Sequence, residues 1–370
     1  MSATELPRVA VVSSAQTELR AAWPSLQHVD LISTAVTRAL AGSALRIEDV
    51  DFVIDSGSDV LDGRSISNCG FLGALGAHHK EESRVEEDGL WAALYGVTKI
   101  TSGSADVGLI VAYSKPSESD LAAFYWTQAE PFYARPVGLD HRAAAGFHAQ
   151  AYQAAGGPGA DAFATVVARN WERAAANPAV ALDGPPPAAD DGAVPMSRPV
   201  DGAVAVVIAV EDVARRVTPD PVWITGMGTA MDQHTFARRK RGALPACRAA
   251  AQMAYRRAGI DDPRRVSLVE TGADSAVGEL MVLEALGLAE PGRGIELYNG
   301  GEHIAVNPSG GSLPADPVMA TGLVRLSEAS RQLAGRAPHR PAGATSAIVH
   351  GAGGIGGQNH CVFTLEVDPR

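Results

Sequence analysis

The sequence is poor in aromatic residues, in cysteine and in positive charge, and each shortage removes a class of function. Net charge is −11, from 31 Lys and Arg against 42 Asp and Glu. That argues against non-specific nucleic-acid binding, which needs a basic surface. The three cysteines, Cys69, Cys247 and Cys361, stand far apart. They make neither a disulfide framework nor a metal-ligand spacing, so no metal site is expected and a reducing, cytoplasmic setting is. The chain has no apolar run of about twenty residues, the length that spans a bilayer, and no basic-then-apolar leader pattern at its start. What remains is 370 residues with 46% apolar and only 5% aromatic side chains. This is enough for one large domain or two medium ones, with Ala and Gly suited to helices packed closely on a sheet.

Periodicity supplies the elements. Short apolar runs predict strands at Val9–Val12, Val50–Ile54, Val107–Ala112, Val204–Val210, Val222–Gly226, Val266–Glu270, Ser346–His350 and Cys361–Val367. Runs apolar throughout, such as Val107–Ala112, belong to strands buried on both faces. Three-to-four spacing predicts helices at His28–Ala41, Leu90–Ser102, Leu244–Ala258, Val277–Leu286 and Val318–Ala334, several with glycine at the stop position. The polar stretch Asp59–Arg84 has no clear pattern. Between Ser114 and Pro199 the rhythm breaks into aromatics, prolines and two helices, Ala143–Ala154 and Ala160–Ala176. This reads as an insertion between two strands. The second half then repeats the rhythm of the first, which suggests internal duplication.

One stretch organises the rest, Val306 to Gly322, read V-N-P-S-G-G-S-L-P-A-D-P-V-M-A-T-G. A strand signal leads into a Pro-Ser-Gly-Gly turn, a Pro-rich loop and a helix. Adjacent glycines let a backbone approach a ligand or a buried helix closely. With the A-T-G and helix that follow, this segment resembles the thiolase-superfamily loop NPSGG…GHPxGATG, one residue shorter, with Ala315-Asp316-Pro317 in the Gly-His-Pro place. Other stretches resemble the same family in the right order. Ile100–Val111 is similar to the end of its nucleophile helix and the next strand, Ser197–Ile208 to the strand closing the first half, Leu268–Leu280 to its acid-helix segment, and Val349–Gly357 to its final Gly-rich loop. The nearest branch is the SCP2-thiolase or lipid-transfer-protein group. The resemblance implies an α/β thiolase fold, a five-layered αβαβα sandwich of two duplicated halves with an inserted loop domain. Residues 1–113 and 200–216 would form the N-terminal half, 114–199 the loop domain and 217–370 the C-terminal half.

Thiolase chemistry needs a thiolate to hold the acyl group, a histidine to activate it and a further acid–base group for the α-proton, and donors aimed at developing oxyanions. Carried over by motif, the nucleophile position falls on Glu86, the acid-helix position on Gly272 and the loop histidine on Asp316. All three groups are replaced, as are the tyrosines of SCP2-like aldolases, so ordinary turnover is not expected and enzyme status stays open. Glu86, Asp316 and His350 are the candidate catalytic residues. Glu86, Asp88 and Asp316 would cluster as carboxyl acid and base, or the acidic run Glu86–Asp88 merely stabilises a helix start. His303 and His350 are core histidines or substrate contacts; His360 is expected to be strand-exposed.

For an acyl-CoA thioester, the ligand the family implies, the candidates are Arg238, Arg239 and Arg241 on its phosphates, with His303, Asn307, Gly310 and Gly311. The basic run is equally a helix start or subunit contact. Phe124, Tyr125, Trp126, Phe132 and Tyr133 line an acyl channel or form a subunit interface. No covalent cofactor is expected. The resemblance implies at least a dimer, homo- or heteromeric, with a second thiolase-like chain and a DUF35-type OB-fold protein as partners. Two functional readings follow: a non-canonical subunit of a heteromeric thiolase-like complex, and an active acyltransferase or aldolase using groups other than cysteine.

Overall fold

The computed structural model describes residues 6–186, 193–299 and 304–368. Ten strands lie among them: β1 (Val9–Gln16), β2 (Phe52–Ser56), β3 (Glu81–Val85), β4 (Val107–Ser114), β5 (Gly202–Val210), β6 (Val222–Met231), β7 (Leu268–Thr271), β8 (Ala305–Val306), β9 (Ser346–Gly353) and β10 (Asn359–Val367). Their order is β3-β2-β4-β5-β1-β6-β10-β9-β7-β8. Cut between β1 and β6, the two halves are mirror-ordered copies: β3-β2-β4-β5-β1 matches β8-β7-β9-β10-β6 strand for strand. The pairing senses repeat as well. β2 is parallel to β3 and β4, and β5 antiparallel to β4 and β1. β7 is likewise parallel to β8 and β9, and β10 antiparallel to β9 and β6. The duplication that the rhythm suggested is thus a duplication of topology.

Layering follows from strands that are apolar on both faces. On β5, Val204, Val206 and Ile208 face inward toward the helices Gly89–Thr101 and Thr321–Leu333, which contribute Leu90, Ala93, Leu323 and Leu326 to the same core. Ala203, Ala205, Val207 and Ala209 face outward onto the helix His28–Ala41. In the second half Phe363 and Leu365 of β10 join the inner core, whereas Val362 joins the outer one beneath the helices Pro245–Ala258 and Ala276–Ala285. Helix, sheet, helix pair, sheet, helix is the five-layered order expected.

The two inner helices meet at their N-terminal turns because Gly89 lacks a side chain. A Cβ there would stand 2.7 Å from both Ala112 Cβ and Leu323 Cβ. Gly89→Ala should therefore destabilise the chain by about 1–3 kcal/mol through overpacking. A denaturant midpoint unmoved by the substitution would mean the two helices part without cost.

One strand, β3, escaped the sequence reading. β3 is the edge strand E-E-S-R-V, whose side chains are exposed or half-buried and so carry no apolar signal. β8, where the strand signal before the Pro-Ser-Gly-Gly turn placed it, is only two residues long. The inserted segment holds the expected helices, as His141–Ala154 and Ala160–Ala175, and a further one, Leu121–Gln128. Asp120 and Asp140 set two of these starts by accepting the Ala123 and Ala143 N–H groups. No helix among the described residues is long and apolar enough to cross a membrane.

Candidate functional site

A cavity of about 440 Å³ opens where the inner helices begin. Its floor is made by Glu87, Asp88, Asp316 and Thr321, one wall by Gly272–Ser275, another by Phe124 and Tyr125 of the inserted segment, and a rim by the Gly-rich loop and His360. Asp88 precedes the helix Gly89–Thr101, Ser275 the helix Ala276–Ala285, and Thr321 opens the helix Thr321–Leu333. Three helix N-termini, each an electropositive end, thus border one space.

Asp88 ties two of these ends together. Its Oδ1 accepts the Leu90 N–H at 2.9 Å and its Oδ2 the Gly322 N–H at 2.7 Å. A Cβ on Gly322 or Gly351 would strike this carboxyl, which explains glycine at both places. Burial pushes the Asp88 carboxyl up to about 8, the negative charges of Glu87 and Asp316 add to the rise, and the two N–H donors pull against it. Asp316 accepts from Ser197 Oγ at 2.6 Å, from the Val318 N–H at 2.9 Å and from Thr321 Oγ1. Burial raises its carboxyl and these three donors oppose the rise. Glu87 is raised by burial too, against a hydrogen bond from Asn359. Carboxyl groups lifted toward neutrality in a cleft are suited to moving protons.

The wall opposite adds Tyr125, backed by His141. Tyr125 stacks on His141 with centroids 3.9 Å apart. Burial, and then the charges of Asp316 and Asp274, raise the Tyr125 phenol, so it stays a proton donor. Burial lowers the His141 imidazole, and its Nδ1 has no hydrogen-bond partner. Nothing in the sequence singled out His141; only the folding of the inserted segment stacks it on Tyr125.

The sequence-predicted residues divide. Glu86 lies at the cavity's edge, half-exposed, accepting the Asp59 N–H and paired with Arg84. The buried helix head carries Asp88 instead. His350 is fully buried and does not line the cavity; it reaches it through His360, which does. His360 is 1% exposed rather than strand-exposed, because a helix covers that face of β10 as well. Arg239 turns inward and donates to the Gln233, His234 and Ile355 carbonyls, so its guanidinium is spent on structure. Arg238 and Arg241 are exposed. Asn307 is buried against Thr271, and Gly310 and Gly311 pack under Ala174 and Asn307; none of the three lines the cavity. His303 lies outside the described residues. Of the aromatics, Phe124 and Tyr125 line the cavity, whereas Trp126, Phe132 and Tyr133 are exposed.

No cysteine is among the residues lining the cavity. Cys69 is exposed elsewhere and Cys247 is buried on the outer helix Pro245–Ala258. Cys361 is buried near the helix head, but burial and the charges of Asp88 and Glu87 push its thiol up, away from the thiolate form.

Comparison with known proteins places this geometry. Residues 228–366 match the family model for the thiolase C-terminal domain-like region. The acetyl-CoA acetyltransferase of Methanothermobacter thermautotrophicus is 34% identical over 167 residues, 42% of this chain and 43% of that protein. The chain thus spans less than half the length of the curated relatives it matches. Among solved structures, the Ltp2-ChsH2(DUF35) aldolase superposes with a TM-score of 0.81 at 20% identity, over 99% of this chain and 100% of that one. A monomeric SCP2-thiolase-like protein of Mycobacterium smegmatis superposes at 0.73 and 19% identity, over 98% of this chain and 78% of that one. Residues 228–366 thus carry a thiolase C-terminal domain-like region, and the described chain has the fold of these thiolase-like structures.

Proposed function

We propose that the chain acts on acyl-CoA thioesters by acid–base chemistry without a covalent thiol, as an aldol-type carbon–carbon lyase working inside a heteromeric assembly. One observation carries this reading: the cavity at the helix N-termini is lined by carboxyl groups raised by burial, and by no thiol. The substrate class is a 3-hydroxyacyl-CoA. Asp316 takes the proton of the 3-hydroxyl group; the Cα–Cβ bond breaks to leave a carbonyl product and a thioester enolate. The Tyr125 phenol returns a proton to Cα and is restored by the proton on Asp316. The helix N-termini favour the negative charge that develops on the thioester oxygen. Arg238, Lys240 and Arg241, exposed on the segment that carries the cavity-lining His234, meet the CoA phosphates.

The partner belongs to the same proposal. β3 leaves one edge of its sheet unpaired among the described residues, which suits a dimer continued across that edge. Phe132, Tyr133 and Val137, 78–80% exposed, form an apolar patch of the kind proteins cover with another chain. The likeness to an aldolase solved with a DUF35 protein supports an OB-fold partner. The division into residues 1–113 with 200–216, 114–199 and 217–370 is part of this reading. A second reading, a binding subunit that leaves turnover to another thiolase-like chain, is favoured by Asp88, whose two oxygens are both engaged by backbone N–H groups.

The test is a panel of 3-hydroxyacyl-CoAs offered to the purified chain, alone and co-expressed with an OB-fold partner, with products identified by mass. The expected result is carbon–carbon cleavage with the thioester intact, unaltered by Cys361→Ser. Release of free CoA, or loss of turnover in that variant, would return the chain to thiol chemistry. Binding without turnover in every combination would select the second reading.

A further inference from the structure

We propose that Cys247, His350 and His360 form a binding site for one borderline divalent cation, Zn²⁺ by preference, with its remaining position opening at His360 toward the cavity. The residues come from three separate stretches, so no spacing in the sequence announces them. β9 and β10 pair so that His350 stands opposite Val362 and His360 opposite Ala352. The two imidazoles are therefore diagonal neighbours on one face of the sheet, the face that Ile348 and Val362 turn toward the helix Pro245–Ala258. Cys247 sits in the first turn of that helix, and one ligand atom from each of the three residues lies within 4.8 Å of the other two. A sulfur and two imidazole nitrogens are the donor set of tetrahedral zinc.

The hydrogen bonds prepare the set. The His360 Nε2–H donates to the Gly357 carbonyl at 2.9 Å, which fixes its tautomer and leaves a lone pair on Nδ1. The His350 Nε2–H donates to that Nδ1 at 2.9 Å. The other nitrogen of His350, Nδ1, is fully buried without a partner. Burial pushes both imidazoles below their ordinary range, His360 to about 4, so they are neutral and able to ligate near pH 7. Burial raises the Cys247 thiol. Binding must therefore displace its proton: the S–H bond breaks, the sulfur–metal bond forms, and one proton leaves to solvent. Zinc–nitrogen and zinc–sulfur bonds of about 2.0–2.3 Å place tetrahedral ligand atoms about 3.3–3.6 Å apart. The His350 proton moves from Nε2 to the unpartnered Nδ1, so that His350 Nε2 and His360 Nδ1 both offer lone pairs to the ion, and the site reaches that spacing by opening the His350–His360 contact slightly and drawing Cys247 in.

The experiment uses the full chain, free of any histidine tag and stripped with chelator, titrated with Co²⁺ and followed by visible absorption. Circular dichroism checks that the apo chain stays folded. The expected result is one Co²⁺ per chain with tetrahedral d–d bands, a thiolate-to-cobalt charge-transfer band, and one proton released per ion. Cys247→Ser should abolish the charge-transfer band, and His350→Gln or His360→Gln should weaken binding by at least about 100-fold. The native chain alone decides the matter if a variant fails to fold. Folded apo protein that takes up no Co²⁺, or takes it up with only octahedral bands and no sulfur charge transfer, overturns the proposal and leaves three core side chains.

Discussion

Replacing Asp316 by asparagine is expected to lower carbon–carbon cleavage by about 10²–10⁴-fold, the usual cost of losing a positioned acid–base group. Folding should change little. Asparagine keeps the shape, its carbonyl oxygen can still accept the Val318 N–H and the Thr321 hydroxyl, and its amide can donate to Ser197 Oγ, whose hydroxyl rotates to suit. The stability cost is therefore within about 1–2 kcal/mol, that of one charge-assisted hydrogen bond made neutral. Asp316→Ala is the harsher control, because it leaves the Val318 N–H without its acceptor. The informative measurement is the split between kcat and KM. A base acts in the transition state, so kcat and kcat/KM should fall together. A fall confined to KM would make Asp316 a binding or shaping residue. Activity equal to that of the native chain would remove it from the chemistry. Tyr125→Phe should fall by the same route while leaving the ring stacked on His141.

How far all this could be read in the sequence depends on the kind of signal each part leaves. β4 and β5 were plain, because strands covered on both faces are written as unbroken apolar runs. The duplication was visible as rhythm, although β3 was not. An edge strand with polar side chains is held by backbone pairing, which composition does not record. The motif led to Asp316, which does line the cavity. The same motif led to Asn307, Gly310 and Gly311, which instead support the loop from below. Position in a motif does not distinguish a residue facing a ligand from one bracing the turn. Counting along the chain led to Glu86, which lies at the cavity's edge, and to the acidic run whose Asp88 caps the helix. The contact of Tyr125 with His141, and the trio Cys247, His350 and His360, were beyond reach for another reason. Each group is assembled by a tertiary contact between segments that share no periodicity.

Asp88 should prove the most consequential single side chain for stability. It caps the helix Gly89–Thr101 through Leu90 and also accepts the Gly322 N–H of the second inner helix, in a site that is 2% exposed. Asp88→Ala removes a cap worth about 1 kcal/mol and strands a second buried N–H at about 1–3 kcal/mol. The expected loss is about 2–4 kcal/mol, read from denaturant unfolding. Asparagine cannot repair it fully. Both carboxyl oxygens accept in the native chain, whereas an amide offers one acceptor and turns its NH₂ toward an N–H. The carboxyl also imposes a pH dependence with a definite sign. It titrates at about 8 in the folded chain and at about 3.9 in an unfolded one. Between those values the folded state holds a proton that the unfolded state has released, so stability falls as pH rises and levels off above about 8. Asp88→Asn cannot titrate there. The stability of the native chain minus that of the variant should decline by up to about 1.4 kcal/mol per pH unit between pH 5 and 8. A difference that stays flat across that range would mean that the paired helix ends hold the carboxylate ionised in the folded protein. In that case Asp88 would be a fixed negative charge in the floor of the cavity, and the enolate oxygen would have to find its stabilising donors at Ser275 and Thr321 instead.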